Sequence, residues 1–227
     1  MKKREILLAI TFIFFLLTAA LASAADVAYL YRQNFNIDKN IVDVFNDLGL
    51  TVDFIQEKNQ PSNFNSYKFL FVGDENFRRN IPVNDYPVII ASYYDAELWG
   101  LTDNEGVSQL GATHPLSVLI NLHSEQVYTK AIDSYGVSVP YYYLDEDNKA
   151  PNLEQIAGTE KTSSGTKFGD VISHAPAGTQ MLNGRTQQGK LCFYGIIETD
   201  FWTSKARDLF EDCVQYVAAE CSSDSDC

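Results

Sequence analysis

"PVIIASYYDAEL", residues 87–98, is the stretch on which the reading of this chain turns. After a proline come Val88, Ile89, Ile90 and Ala91, an unbroken apolar run. Such a run, without polar alternation, is the pattern of a strand buried on both faces, as in a parallel sheet. Ser92 then stands at the strand's end, where some α/β enzymes hold a nucleophile on a sharp strand-to-helix turn. The other reading of Ser92 is a hydroxyl that caps the strand or opens a helix.

The preceding stretches repeat the pattern. "DVAYLY", residues 26–31, reads as a buried first strand. Asp38 is placed to cap a helix through "KNIVDVFNDLG", in which Ile41, Val44, Phe45 and Leu48 share one face and Gly49 ends the helix. "TVDFI" at 51–55 is a second strand, and "NQPSNFNS" a turn-rich loop. "YKFLFVG" at 67–73 is a third strand, followed by the loop "DENFRRN". Strand, helix, strand and two further apolar strands predict a parallel sheet with crossovers. The third and fourth strands are close in sequence, so any helix between them must be short or distorted.

The second half is less regular. Residues 94–111 are mixed and contain Trp99. "HPLSVLI", "EQVYTKAI" and "SVPYYYL" read as extended, "FGDVISHAP" leads into a strand, and "GKLCFYGII" is a strongly apolar strand. "SKARDLFEDCVQYVAAE" is an amphipathic closing helix that buries Leu209, Phe210, Cys213, Tyr216 and Val217.

The ends carry a different message. Lys2, Lys3 and Arg4 precede an uncharged apolar run at 6–21, and Ala22-Ser23-Ala24 offers small residues to a signal peptidase. A signal peptide at 1–24 is expected, with secretion or display at the cell surface; an uncleaved membrane anchor is the alternative. Residues 25–220 suffice for one α/β domain with its own core, and 221–227 form a short cysteine-containing tail. Loss of Lys2, Lys3, Arg4 and Glu5 would take the formal charge from −13 to −15. So acidic a surface argues against nucleic acid and anionic membrane as partners.

The four cysteines are Cys192, Cys213, Cys221 and Cys227. An even count in an exported chain favours disulfides, and four cysteines allow three pairings. Cys192 on the apolar strand and Cys213 on the closing helix form one expected pair; Cys221–Cys227 closes "CSSDSDC" as the other. No C-x-x-C pair favours a metal site, and none is expected.

Three pieces resemble a known family: "SNFNSYKFLFVGD", "THPLSVLI" at 113–120, and "GRTQQGKLCFYGIIETDFWTSKARDLFEDCVQYVA" at 184–218. They are similar to strand, turn and terminal-helix segments of the class I glutamine amidotransferase-like superfamily, and within it the trehalose-utilisation (ThuA-like) domains. The resemblance spans most of residues 26–220 and is one of pattern more than identity. It implies an α/β fold, a flavodoxin-like three-layer sandwich with a mainly parallel sheet. In that pattern "LEQIAGTE" is a strand.

Active members of the superfamily carry a cysteine nucleophile at the strand-to-helix elbow, flanked by small residues. Matched to the fourth strand, that position is Ser92, but Ile90 and Tyr94 flank it and make a strained elbow costly. The family's histidine and glutamate follow the late strand, where "GIIETDFW" offers Glu198 and no histidine. A nucleophilic serine needs a base within reach, and the chain has only His114, His123 and His174. His114 resembles the histidine of the family's "HP" turn; an imidazole bonded to backbone in a rigid turn is the plainer reading. Candidate catalytic residues are therefore Ser92, His114 and Glu198.

Geometry supplies a second set. Open parallel sheets bind ligands at strand carboxyl ends. Those ends present Arg32, Gln33 and Asn34, then Asp74, Glu75 and Asn76, then Ser92, Tyr93 and Tyr94. With Trp99 or Trp202 close by, this palette of aromatics, amides and carboxylates suits a small polar ligand or a glycan. "YRQNFN" has no glycine, so no phosphate loop and no flavin or nucleotide cofactor is expected. The sequence thus points to an amidotransferase-like scaffold without the catalytic cysteine and histidine, a non-catalytic binding or cell-surface protein. The alternative is a serine-dependent hydrolase or carbohydrate-processing enzyme using Ser92.

Overall fold

A computed structural model describes residues 25–103, 107–109, 117–129, 141–159 and 169–219. In chain order the elements are β1 (Val27–Tyr31), α1 (Lys39–Asp47), β2 (Val52–Gln56), β3 (Phe69–Val72), β4 (Val88–Ile90), β5 (Val107–Gln109), β6 (Ser117–Ile120), β7 (His123–Gln126), β8 (Tyr142–Asp145), β9 (Glu154–Thr159), β10 (Gly169–Ala175), β11 (Leu191–Tyr194) and α2 (Ser204–Ala218). All eleven described strands join one sheet, ordered β2-β1-β3-β4-β11-β10-β9-β6-β7, with β8 pairing β10 and β5.

The sheet has two characters. From β2 to β11 every pairing is parallel. From β11 onward every pairing is antiparallel. The α/β class stands, but the sheet is mixed rather than mainly parallel. Connection length accounts for only part of this, since the fifteen residues between β10 and β11 would allow either direction. Two residues join β6 to β7 and nine separate β9 from β10, whereas a parallel crossover needs about a dozen or more. Apolar runs buried on both faces look alike in either pairing, so the runs themselves could not tell the halves apart.

Both described helices lie on one face. Asp38 caps α1, its carboxylate accepting from the Asn40 and Ile41 amides at 2.8 and 3.2 Å. Gly49, at φ 73°, ends that helix as a left-handed residue for which glycine carries no Cβ penalty. Ile41, Val44 and Phe45 of α1 meet Val27, Tyr29, Phe69 and Phe71 of the sheet. Alongside, Ala206, Leu209, Phe210, Cys213, Val214 and Val217 of α2 are buried in the same cluster, and Thr203 caps its start. The Cys192–Cys213 disulfide ties α2 to β11, with Cα atoms 5.8 Å apart. Tyr216, expected on the buried face, is only partly buried and stacks on His174.

The opposite face is covered by irregular chain. Phe64, Phe77, Ile81, Trp99, Leu101 and Met181 close over Ala28, Leu30, Leu70, Val72 and Val88. As the sequence implied, β3 and β4 are linked without a full helix; a 3-10 turn at Val83–Asp85 is what stands there. A covering layer without regular structure must satisfy its backbone otherwise. Buried amides do this: Asn84 donates to the Trp99 carbonyl at 3.1 Å, and Gln187 to those of Val83 and Tyr86 at 3.0 and 3.1 Å.

Candidate functional site

The chain leaves β1 toward β2 on one side, while β3 lies on the other. That reversal of direction is a topological switch point, and it opens a crevice at the carboxyl ends of β1 and β3. A cavity of about 200 Å³ occupies it on the helix-covered face. Tyr29, Phe71 and Ala91 rise from the strands, Gly73 and Asp74 follow β3, and Asp38 comes from the start of α1. The segment after β11 closes the far wall with Glu198, Thr199 and Trp202.

A network fixes these groups. The Asp38 amide donates to the Tyr29 hydroxyl at 3.0 Å, while the Asp38 carboxylate accepts from Thr199 Oγ1 at 2.8 and 3.0 Å. Asn40 in turn donates to Thr199 Oγ1 and to Asp200. The Trp202 indole N–H donates to the Ile196 carbonyl at 2.8 Å, which holds the ring at the rim. Gly195 allows the close crossing that brings Tyr142 to the same end of the sheet: a Cβ there would stand 2.1 Å from the Tyr142 carbonyl oxygen.

The electrostatics are those of crowded, desolvated carboxylates. Burial, reinforced by Glu198, lifts the Asp74 carboxyl to about 7, against the pull of the nearby Tyr142 hydroxyl. Its Oδ1 is buried without a hydrogen-bond partner. Burial also raises Glu198, with Asp200 and Asp38 adding to it. Asp38 is raised by burial as well, against its hydrogen bonds from Thr199 and the helix start. No Lys, Arg or His is among the described residues lining the cavity. The pocket can therefore accept hydrogen bonds readily and, through a protonated Asp74, donate one as pH falls below about 7.

The structure puts the residues expected from sequence in different places. Asp74 and Glu198 line the cavity together. Arg32 and Glu75 do not line it but join the segments that follow β1 and β3. Glu75, buried, accepts from the Arg32 and Gln33 amides at 2.9 Å each, and Arg32 donates to the Asn76 carbonyl at 2.7 Å. Ser92 is wholly buried and its hydroxyl donates to the Glu75 carbonyl at 3.1 Å, the bond of a strand-end cap. Tyr93 stacks on Tyr94 and packs on Tyr142, both with ring centroids 4.1 Å apart. Tyr142 and Tyr93 belong to the loop-covered face; the Tyr142 hydroxyl hydrogen-bonds Asp74, and Tyr93 feels its charge. Asn34 is exposed in a 3-10 turn at Asn34–Asn36.

Of the tryptophans, Trp202 belongs to the pocket, while Trp99 is buried under the loop-covered face. His123 sits on β7, the last strand of the sheet's main path, and His174 contacts α2. His114, Cys221–Cys227 and residues 1–24 lie outside the described residues. Sequence reasoning missed Tyr29, Thr199 and Tyr142, and took Asp38 only as a helix cap. A signal existed for Tyr29: it alternates with Val27 and Tyr31 along "VAYLY" and so shares their face. No family model matches the sequence, and comparison with curated proteins finds no match.

Proposed function

We propose that this chain is an exported binding domain that holds a small, neutral, hydroxyl-rich ligand, a single sugar unit, in the switch-point cavity. The observation that carries the reading is the lining: acceptors Asp38, Asp74 and Glu198 beside Tyr29, Thr199 and Trp202, with no cationic side chain among the described residues that line the cavity. Hydroxyl groups satisfy several carboxylate oxygens at once, and an aromatic ring accepts the apolar C–H face of a sugar on its own face. At about 200 Å³ the cavity is smaller than drug-sized sites, which run roughly 300–1,000 Å³. Ser92 is engaged with Glu75, which favours binding over serine chemistry.

The scaffold we infer is the flavodoxin-like, amidotransferase-like one. Its support is the order β2-β1-β3-β4-β11, which matches the flavodoxin-like arrangement of strands around a β1/β3 switch point. On this reading α1 and α2 keep their face, and irregular loops replace the helices of the other. Export and surface display remain part of the proposal. No helix among the described residues is long and apolar enough to cross a membrane.

A second reading has one observation in its favour. Asp74, lifted to about 7 beside Glu198, resembles the acid and partner carboxylate of carbohydrate-processing sites, where environment separates the two roles. The two are separated by titrating the protein with a panel of monosaccharides by NMR and then assaying aryl glycosides. Binding that perturbs the pocket and weakens in Trp202→Ala, without turnover, supports the first. Turnover abolished in both Asp74→Asn and Glu198→Gln supports the second. A panel without any response at the pocket overturns both.

A further inference from the structure

Away from the cavity, β10, β11 and α2 bring three soft or borderline metal ligands together. His174 on β10 lies directly across from Cys192 on β11 in the antiparallel register. Residues paired in that way point to the same face of the sheet. Cys213 comes down onto that face from α2. The Cys213 sulfur stands 4.0 Å from His174 Nε2, and the two sulfurs and that nitrogen all lie within 4.8 Å of one another. It is the one grouping of this kind among the described residues. Tyr216, one helical turn along α2 from Cys213, fixes the imidazole by parallel stacking, with centroids 3.8 Å apart and planes 5° apart.

We propose that, with the disulfide open, Cys192, Cys213 and His174 bind one thiophilic divalent cation of the zinc type, so that the same two sulfurs serve either a covalent bond or a metal. A tetrahedral zinc has Zn–S about 2.3 Å and Zn–N about 2.0–2.1 Å, which places its sulfur and nitrogen ligands roughly 3.6 Å apart and its two sulfurs roughly 3.8 Å apart. The Cys213–His174 separation already approaches the first value. Cα atoms 5.8 Å apart let the cysteine side chains turn to reach the second. Three protein ligands leave the fourth position to water or a small donor.

The chemistry balances. A dithiol reductant supplies two electrons and two protons to the sulfur–sulfur bond and is itself oxidised to a disulfide. The two thiols then lose two protons as they bind the dication. Cys192 and Cys213 are both wholly buried. The choice between bond and metal is therefore made during folding, before α2 docks, and the folded chain keeps whichever it took.

Cobalt is the probe, because thiolate-to-cobalt charge transfer reports sulfur ligation directly. The full chain is reduced with a dithiol in denaturant and refolded with Co²⁺, beside an oxidised sample treated alike. One cobalt per chain with the thiolate band in the reduced sample, and none in the oxidised one, is the expected result. His174→Ala should weaken binding by more than roughly tenfold, the loss that even an outer partner of a metal ligand can cause. Equal cobalt uptake by the oxidised chain would overturn the proposal, as would unchanged affinity in His174→Ala. So would a reduced chain that stays unfolded with Co²⁺ while the oxidised chain refolds, since metal binding would then contribute no folding free energy.

Discussion

At the scale of single residues, Asp74 carries the clearest physical signature in the cavity. Its carboxyl is lifted to about 7 from an unfolded value of 3.8. Between those two pH values the folded chain holds a proton that the unfolded chain has released. The group's contribution to stability is full below about pH 3.8, falls as pH rises, and is lost once pH passes about 7. Asp74→Asn keeps the shape and removes the charge. At pH 8 the variant should be more stable than the parent by roughly 1–2 kcal/mol, a figure discounted for the solvent that reaches the pocket. At pH 3 the two should match. Urea denaturation at both pH values is the check, and a constant gap across pH would mean that packing, not charge, sets the difference. Such a residue was only half legible. Asp74 could be read as loop polarity after a strand, but the partner that lifts it, Glu198, comes after the last strand and meets it only because β11 pairs with β4 and β4 with β3.

At the scale of elements, two cross-links hold the antiparallel half and the closing helix in place. The first is covalent. The Cys192–Cys213 bond closes a span of 21 residues in sequence and pins α2 on the sheet. Replacing both cysteines by alanine should lower stability by about 3 kcal/mol, the chain-entropy value for a loop of that size. A loss below about 1 kcal/mol in chemical denaturation would show that α2 is seated by its apolar face alone. The second is ionic. Asp170 on β10 is wholly buried, and Lys149, after β8, donates to its two oxygens at 2.7 and 2.8 Å. Gln155 of β9 donates to the same carboxylate at 2.6 Å, so one acid joins three segments of the sheet. Lys149→Met strands a buried carboxylate and should cost about 3–5 kcal/mol, whereas Lys149→Met with Asp170→Leu should recover most of it. A single variant no worse than the double would show the charge to be solvated in the native state. The disulfide was legible because both cysteines sat in strongly patterned elements. The buried pair was not, since neither "NKAP" nor "FGDV" announces that a strand will carry its aspartate inward.

For the whole molecule, local pattern and long-range topology were read with unequal success. The β1–α1–β2 opening, the Asp38 cap, the stop at Gly49 and the helix of Ser204–Ala218 all follow from periodicity and capping. The reversal from parallel to antiparallel at β11 does not, because pairing direction depends on which strands become neighbours. Charge is the property that acts on every element at once. At −13 the chain repels itself when compact, and salt should relieve that more than it weakens the mostly exposed ion pairs such as Lys39–Asp43. Raising NaCl from about 0.01 to about 0.15 M shortens the screening length from roughly 30 to 8 Å. Stability should then rise by about 1 kcal/mol, or roughly 2–4 °C in Tm for a domain of this size. The sugar affinity proposed for the cavity should stay flat over the same range, because a neutral ligand carries no charge for the ions to screen. Differential scanning calorimetry and the NMR titration, run on one sample series, test both halves together. A Tm that falls with salt would mean that attractive pairs outweigh net repulsion. An affinity that falls with salt would mean that the three carboxylates are holding a cation rather than a sugar.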